Sequence, residues 1–121
     1  MSDYCVRWWE IASSDAEQTV PFMEKVLGLK MEFDEASGIW CLPFTEEMTG
    51  FNGGGAFTLK QGKEPHITVY FRTDDVDAVA ERVVKHGGTI HEAPFNIFEK
   101  TRICLFKDPT GLILAVIGPP K

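Results

Sequence analysis

Histidine and cysteine, two residue types often used in acid–base, nucleophilic or metal chemistry, are few in this sequence. They are three histidines and three cysteines: His66, His86, His91, Cys5, Cys41 and Cys104. No CxxC or Cys/His spacing typical of a metal site occurs, and no nucleophile–base pair can be identified. The cysteines lie in separate apolar, strand-like runs, so we expect reduced thiols in a reducing, cytoplasmic compartment.

The segment His66–Arg72 has the alternation of a β-strand with one partly polar face. His66, Thr68 and Tyr70 share this face, and we expect them to line a cavity. The residues between them are all apolar and are predicted to pack under a helix.

Glu10 and Arg102 are the charged candidates for the same cavity. Glu10 shares a strand face with Trp8, and alternation groups Arg102 with Cys104 and Phe106. A buried Arg102 would need an anionic partner, either Glu10 or a ligand. An arginine on the solvent side of a strand fits the sequence equally well.

Two motifs resemble ion-binding sites but have simpler explanations. The acidic trio Asp74, Asp75 and Asp77 stands where a helix is predicted to begin, so capping is favoured over calcium binding. No GK[ST] follows Gly53–Gly55, which therefore predicts a bulge or a close backbone approach rather than a phosphate loop. His86 is predicted to end the second helix, where a cation is favourable.

A repeated pattern organises the chain that carries these residues. Gly28 follows Asp15 by 13 positions, Gly87 follows Asp74 by 13 positions, and the two intervals start 59 residues apart. Each interval has apolar residues at helical spacing and is flanked by strand-like segments. The repeat predicts two similar half-modules.

The first helix is predicted to begin at a capping box formed by Ser14 and Glu17 and to end at Gly28. Pro21 lacks an amide donor, so we expect a kink or a restart there. The apolar stripe of this helix comprises Ala16, Val20, Met23, Val26 and Leu27.

The second helix is predicted over Asp75–His86, with Asp74 or Thr73 as its cap. One face of it is apolar and comprises Val76, Val79, Ala80, Val83 and Val84.

Strand-like segments complete each half. They are predicted at residues 4–11, 29–33, 39–44, 56–60, 66–72, 89–92, 101–106 and 112–117, with a loop at 94–100. The order βαβββ therefore occurs twice. We predict one domain over residues 1–121, with half-modules at about 1–62 and 63–121.

Composition excludes several classes of function. A net charge of −6 and the lack of a basic run argue against a nucleic-acid partner. No signal peptide and no apolar stretch long enough to span a bilayer occur, so no membrane association is expected.

The βαβββ order, with FMEKVLGLKM at 22–31 and FKDPTGLILAVI at 106–117, resembles the vicinal oxygen chelate superfamily. That superfamily includes glyoxalase I, extradiol dioxygenases and bleomycin-resistance proteins. WEI at 9–11 and the segment 69–90 look most like small glyoxalase-like proteins of unassigned function. The resemblance implies an α+β fold in which two βαβββ modules form a curved, mixed, mostly antiparallel sheet around a cavity.

The positions that match the metal ligands of such relatives hold Trp8, Thr68 and Ala115, and the fourth lies within Ala56–Leu59. An indole N–H only donates and a methyl group coordinates nothing. The fourth stretch contains Phe57 but no carboxylate, histidine or cysteine. The resemblance therefore implies no metal and no cofactor, unless the ligands have moved.

We expect a homodimer, by resemblance, that binds a small, partly apolar organic ligand without a metal; no catalytic residue is assigned. The predicted ligand-binding residues are Trp8, Glu10, Phe57, His66, Thr68, Tyr70, Arg102 and Ala115. The alternative is a lyase, isomerase or dioxygenase-type enzyme. It would use a displaced metal site at Glu10 and His66, or one of these residues as a base.

Overall fold

The computed structural model describes residues 6–42, 53–97 and 101–121. Its described part contains two helices and eight strands in the order β, α, three β, twice over. The strands are β1 (Val6–Ser13), β2 (Glu32–Asp34), β3 (Ile39–Leu42), β4 (Gly54–Thr58), β5 (His66–Arg72), β6 (Thr89–Ile97), β7 (Thr101–Lys107) and β8 (Ile113–Gly118). The helices are α1 (Ala16–Leu27) and α2 (Val76–Lys85). The predicted α+β class and the duplicated module are confirmed.

The first compact unit spans Trp8–Thr68. Its strands lie in the order β2-β3-β4-β1, with β1 parallel to β4 and the other two pairs antiparallel. The side chains of Val20, Met31 and Ala56 form its buried core, and Trp9 and Ile11 pack against them. α1 therefore covers the face of β1 that carries Trp9 and Ile11. The face that carries Trp8 and Glu10 is the opposite one.

The second unit contains Val69–Lys121 and the first described residues of β1. Its strands repeat the same order as β6-β7-β8-β5, with β5 parallel to β8 and the other pairs antiparallel. Its core cluster joins α2 to β7 and β8 through Val76, Val79, Ala80, Cys104 and Val116.

The residue that caps each helix lies later in the chain than the predicted cap. Asp15, rather than Ser14, caps α1, and its Oδ1 accepts a hydrogen bond from the Glu17 amide at 3.1 Å. Asp75, rather than Asp74 or Thr73, caps α2 and accepts from the Ala78 amide at 3.0 Å. In each stretch, neighbouring residues have side-chain oxygens that could cap the helix. The backbone conformation determines which of them accepts the hydrogen bond from the first turn.

Pro21 lies inside α1, which is a single helix rather than two pieces. The predicted restart at Pro21 is therefore wrong. α1 ends as predicted at Gly28, which has φ 72° and whose amide donates to the Glu24 carbonyl at 3.0 Å.

Strand β6 continues through Pro94 to Ile97, where a loop from Pro94 was predicted. Its pairing with β7 shifts register between Ile90 and Glu92 and again between Glu92 and Phe95. β6 is the outermost strand of its unit. An edge strand with bulges accommodates a proline because the missing amide need not enter the ladder.

Four apolar side chains that were predicted to be covered are exposed by 61–66%: Val26, Leu27, Ile67 and Val84. All four lie in or near the last turn of a helix or the first residues of a strand, where little packs over the chain. Phe71, farther along β5, does pack against the α2 cluster.

The DPTG turn is held by the carboxylate of Asp108. Its Oδ1 accepts from the Thr110 hydroxyl at 2.6 Å, the Thr110 amide at 2.8 Å and the Leu112 amide at 2.9 Å. These bonds lower the pKa of Asp108, with the Thr110 side chain contributing most. Gly111 has φ 94°, which explains the glycine of the motif.

Within the described residues, neither helix has the length and the apolar content needed to cross a membrane.

Candidate functional site

Glu10 and Phe57, two of the predicted site residues, line one open cleft in the first unit. The cleft has a volume of about 450 Å³. Nine residues line it: Glu10, Glu17, Phe33, Ser37, Gly38, Ile39, Trp40, Phe57 and Thr58. Its lining residues come from the strands β1, β2, β3 and β4, from the β2–β3 turn and from the first turn of α1.

The carboxylate of Glu10 is held by its neighbour on the same strand face. The indole Nε1 of Trp8 donates to Glu10 Oε2 at 3.1 Å. The indole N–H, the only hydrogen-bond donor of the Trp8 side chain, therefore binds the carboxylate. Both residues are half-buried.

Glycine in β4 allows aromatic residues to fill the adjacent space. A Cβ added at Gly55 would lie 2.5 Å from Ile39 Cγ2 and 3.2 Å from Trp8 Cζ2, and one at Gly54 would overlap the Trp9 ring. The close backbone approach predicted at Gly53–Gly55 is confirmed at these two positions. On the cleft wall, the rings of Phe33 and Trp40 lie 4.9 Å apart and 53° from coplanar.

His66 lies at a different place in the same unit. Its side chain is exposed, and its Nδ1 is 3.0 Å from the Glu64 carbonyl oxygen. It lines a second open cleft of about 470 Å³, in whose wall the hydroxyls of Ser13 and Thr19 are 2.6 Å apart. Of these two clefts, Glu10 lines the first and His66 lines the second.

The remaining candidates on the predicted polar faces are buried. Thr68 is 4% exposed in the first unit. In the second unit Tyr70 is 6% exposed, and it pairs in register with the fully buried Ala115. Leu105 pairs with Ala115 from the other side, so one face of this unit carries all three side chains.

Arg102 lies on the opposite face of the second unit, together with Cys104. Cys104 pairs in register with Val116, and both belong to the core beneath α2. Arg102 does not share the face of Tyr70 and Ala115. The prediction that Arg102, Cys104 and Phe106 form a cavity wall fails because the helix covers their side of the sheet.

The partner of Arg102 is Asp77 of α2 rather than Glu10 or a ligand. Arg102 Nε donates to Asp77 Oδ2 at 2.8 Å and Nη2 donates to Oδ1 at 3.0 Å, while Nη1 donates to Asn96 Oδ1 at 3.0 Å. The paired guanidinium lowers the pKa of Asp77, and the carboxylate raises that of Arg102. This bidentate pair ties β7 to α2 and has a structural role.

The two described cysteines, Cys41 and Cys104, are free thiols. Burial is the main cause that raises the pKa of each, and nearby carboxylates raise it further. Both are therefore poor nucleophiles near neutral pH. Cys5 lies outside the described residues.

The donor set at the family's metal positions does not fit a divalent ion. Trp8 offers an N–H that is already donated, Ala115 offers a methyl group, and Phe57 offers a ring. Catalytic divalent ions take about three protein ligands. In the described part of the chain, no three histidine, cysteine, aspartate or glutamate residues are grouped so as to hold a metal.

Sequence reasoning missed Glu17, Phe33 and Trp40 as cleft residues. Glu17 was assigned to helix capping, and the two aromatic residues were treated only as strand formers. No sequence signal brings them together, because the cleft forms where α1, the β2–β3 hairpin and the end of β4 meet.

Paired βαβββ modules with a parallel first-to-fourth strand contact define a glyoxalase-type α+β protein. The chain belongs to the Glyoxalase/Bleomycin resistance protein/Dioxygenase superfamily, whose pattern matches residues 3–116.

Curated relatives match only part of this chain. The anthracycline biosynthesis protein DnrV of Streptomyces peucetius is 43% identical over 49 residues, which is 40% of this chain and 18% of that protein. The putative glyoxylase CFP32 of Mycobacterium bovis is 39% identical over 51 residues, 42% of this chain and 20% of that protein. Each match thus spans about a fifth of the relative's length.

Solved structures share the fold over nearly the whole chain. A methylmalonyl-CoA epimerase of Streptomyces coelicolor, in complex with 2-nitronate-propionyl-CoA, superimposes with a TM-score of 0.62 at 20% identity, covering 99% of this chain and 100% of that one. A hypothetical protein of Bacillus halodurans C-125 gives a TM-score of 0.66 at 14% identity, covering 99% and 97%. At these identities the similarity establishes the fold alone.

Proposed function

We propose that this protein binds a small, partly apolar organic molecule and does so without a metal ion. The observation that carries the proposal is the 450 Å³ cleft, whose lining residues include Glu10 and the aromatic residues Phe33, Trp40 and Phe57. Binding sites for small organic molecules combine apolar walls with a few positioned polar groups.

The chemistry of the family's metal positions supports a metal-free site. Trp8, Thr68 and Ala115 lack the carboxylate and imidazole groups that hold a divalent ion in metal-dependent relatives. One oxygen of the Glu10 carboxylate, Oε2, already accepts a hydrogen bond from Trp8. Without such an ion, the superfamily's metal-assisted reactions have no Lewis acid at these positions.

The metal-free part of the proposal is tested by metal analysis. The protein is incubated with Ni²⁺, Zn²⁺ and Mn²⁺ in turn, desalted, and analysed for bound metal and for turnover of methylglyoxal with glutathione. We expect far less than one ion per chain and no rate above the blank. Stoichiometric metal that is lost in His66→Ala would overturn the metal-free assignment.

Ligand binding is tested separately with a panel of aromatic alcohols and acids, followed by amide chemical-shift mapping. We expect shifts to concentrate at β3 and β4 and to disappear in Phe57→Ala. Ile90→Ala, a half-buried apolar truncation in the other unit, is the matched control. Shifts spread evenly over the chain, or equal shifts in Phe57→Ala, would contradict binding in this cleft.

An acid–base enzyme is the second candidate, and the position of Glu10 in the cleft is the observation that favours it. The fold is shared with methylmalonyl-CoA epimerases, so methylmalonyl-CoA is the substrate to try first. Exchange of the substrate α-proton with solvent deuterium that is absent in Glu10→Gln would support catalysis; no exchange would exclude this reaction. The cytoplasm remains the compartment that we propose for either activity.

A further inference from the structure

We infer that residues 119–121, which follow β8, form a stiff strap that fastens the outermost strand β6 and the helix α2 together. The strap belongs to the second unit and is independent of the ligand cleft, whose lining residues all lie in the first. It holds β6 near the end of the β6–β7 hairpin, beyond the two shifts of register that interrupt the pairing of these strands.

Asn96 of β6 binds both polar groups of the Lys121 backbone. Its Nδ2 donates to the Lys121 carbonyl oxygen at 3.2 Å, and the Lys121 amide donates to its Oδ1 at 3.4 Å. The same Oδ1 accepts from Arg102 Nη1 at 3.0 Å. A side-chain amide has an acceptor oxygen and two donor hydrogens, so it can bind a backbone N–H and C=O at once. The contact therefore holds the main chain of Lys121 at β6.

The side chain of Lys121 extends the contact to α2. Its Nζ lies 3.9 Å from Asp77 Oδ2, the oxygen that also accepts from Arg102 Nε. The Lys121 side chain is 71% exposed, so this ion pair contributes less than the backbone contact. The strap thus joins the network that links β7 to α2 and connects it to β6.

Two prolines determine the path of the strap. Pro119 and Pro120 have no amide hydrogen, and the pairing of β8 with β7 ends at the preceding residue, Gly118. Proline restricts its own φ and drives the residue before it into an extended conformation. We therefore expect a polyproline path that rises by about 3.1 Å per residue.

The length of this path matches the distance that it has to span. Gly118 pairs in register with Arg102, and Arg102 pairs with Asn96, so these residues form one row across β8, β7 and β6. Two spacings between neighbouring strands amount to about 10 Å. Three residues in the polyproline conformation cover about 9 Å. A semi-rigid spacer of this length brings Lys121 to Asn96 at a small cost in conformational entropy.

NMR relaxation of the backbone amides tests whether the strap is docked. A segment after the last strand of a domain is ordinarily mobile unless contacts hold it. We expect an order parameter of about 0.8 for the Lys121 amide in wild type, and a value below about 0.6 in the double variant Pro119→Gly/Pro120→Gly. The double variant keeps every contacting group and makes only the spacer flexible. A wild-type order parameter below about 0.6 overturns the strap.

Hydrogen exchange tests what the strap does for β6. In the double variant, amides of residues 95–97 should exchange about three- to tenfold faster than in wild type, the factor that one hydrogen bond contributes. Amides of residues 89–90, at the other end of β6, should be unchanged. Pro65→Gly alters an exposed proline of the first unit and is the matched control, which should affect neither stretch.

Two exchange results would overturn the inference. Equal exchange of residues 95–97 in wild type and in the double variant would show that β6 does not depend on the strap. Equal acceleration at both ends of β6 would show a general loss of stability with no local fastening.

Discussion

Individual side chains in this protein often do something other than their residue type predicts. The sequence predicted that Arg102, if buried, would need an anionic partner. That partner is Asp77 of α2. The contact joins residues 25 positions apart in sequence, so alternation within one strand could not reveal it.

The Arg102–Asp77 pair predicts a specific pH dependence of stability. The pKa of Asp77 is lower in the folded protein than the value of about 3.9 for an unfolded aspartate. Its stabilising contribution is therefore fully present above that value and is lost as the pH falls through the folded pKa. Urea unfolding from pH 7 to pH 3 should show Asp77→Asn less stable than wild type at neutral pH, with the gap closing in acid.

Asp74→Asn is the control for this pH dependence. Asp74 is exposed and pairs with Arg72 at 3.3 Å near the surface, so removing its charge should matter less at neutral pH. A difference between wild type and Asp77→Asn that is constant over the whole range would refute the role assigned to the Asp77 carboxylate.

At Gly54 a single added methyl group is expected to have a large effect on stability. A Cβ at Gly54 would overlap the ring of Trp9, its register partner on β1. Gly54→Ala should lower the free energy of unfolding by about 1–3 kcal/mol, the usual cost of overpacking. The measurement is chemical denaturation of the variant and of wild type.

The companion variant Trp9→Leu separates overpacking from a backbone effect. In a Trp9→Leu background the methyl group has space, so Gly54→Ala should cost much less than it does alone. Strictly additive losses in the double variant would show that the ring is not what limits this position.

At the scale of elements, the helix caps distinguish neighbouring aspartates. Asp75 accepts a hydrogen bond from the Ala78 amide at 3.0 Å, whereas Asp74 pairs only with a surface arginine in the described contacts. Asp75→Ala should therefore destabilise the protein by about 1 kcal/mol. Asp74→Ala should change stability by less than half of that, as measured by thermal unfolding. Similar losses in both variants would contradict the cap assignment.

Pro21 offers a second test at this scale. It lies in α1 with its side chain exposed, and it removes one intrahelical hydrogen bond. Pro21→Ala should raise the free energy of unfolding by about 1–2 kcal/mol, which is less than the full helix penalty because proline also restricts the unfolded chain. Lys25→Ala, an exposed alanine substitution in the same helix, is the control. A loss of stability in Pro21→Ala would show that the helix depends on the proline.

The limits of helices and strands were predictable where residues close in sequence determine them. The limits of β5 agree with the prediction, and Gly28 ends α1, because alternation and a left-handed glycine are local signals. The extension of β6 through Pro94 was not predictable. It depends on pairing with β7 and on the bulges that relax the register, which are interactions between distant segments.

At the scale of the whole molecule, the family is established and the assembly remains a proposal. We propose a homodimer on the strength of the resemblance to the superfamily. Sedimentation equilibrium at several concentrations should give twice the monomer mass. A single monomeric species at the highest concentration would contradict it, and bleomycin-resistance-like assembly would then not apply to this protein.

The sequence by itself determined the duplicated βαβββ order and the α+β class, and its resemblance to the superfamily indicated the family. The order and the class follow from periodicity and turn chemistry, which are local. Only the tertiary structure decided which faces are covered. It placed Arg102 beside α2, placed Glu10 and His66 in the lining of two different clefts, and placed Glu17, Phe33 and Trp40 in the lining of one cleft. Such groupings depend on register and packing between segments far apart in the chain, and no single segment encodes them.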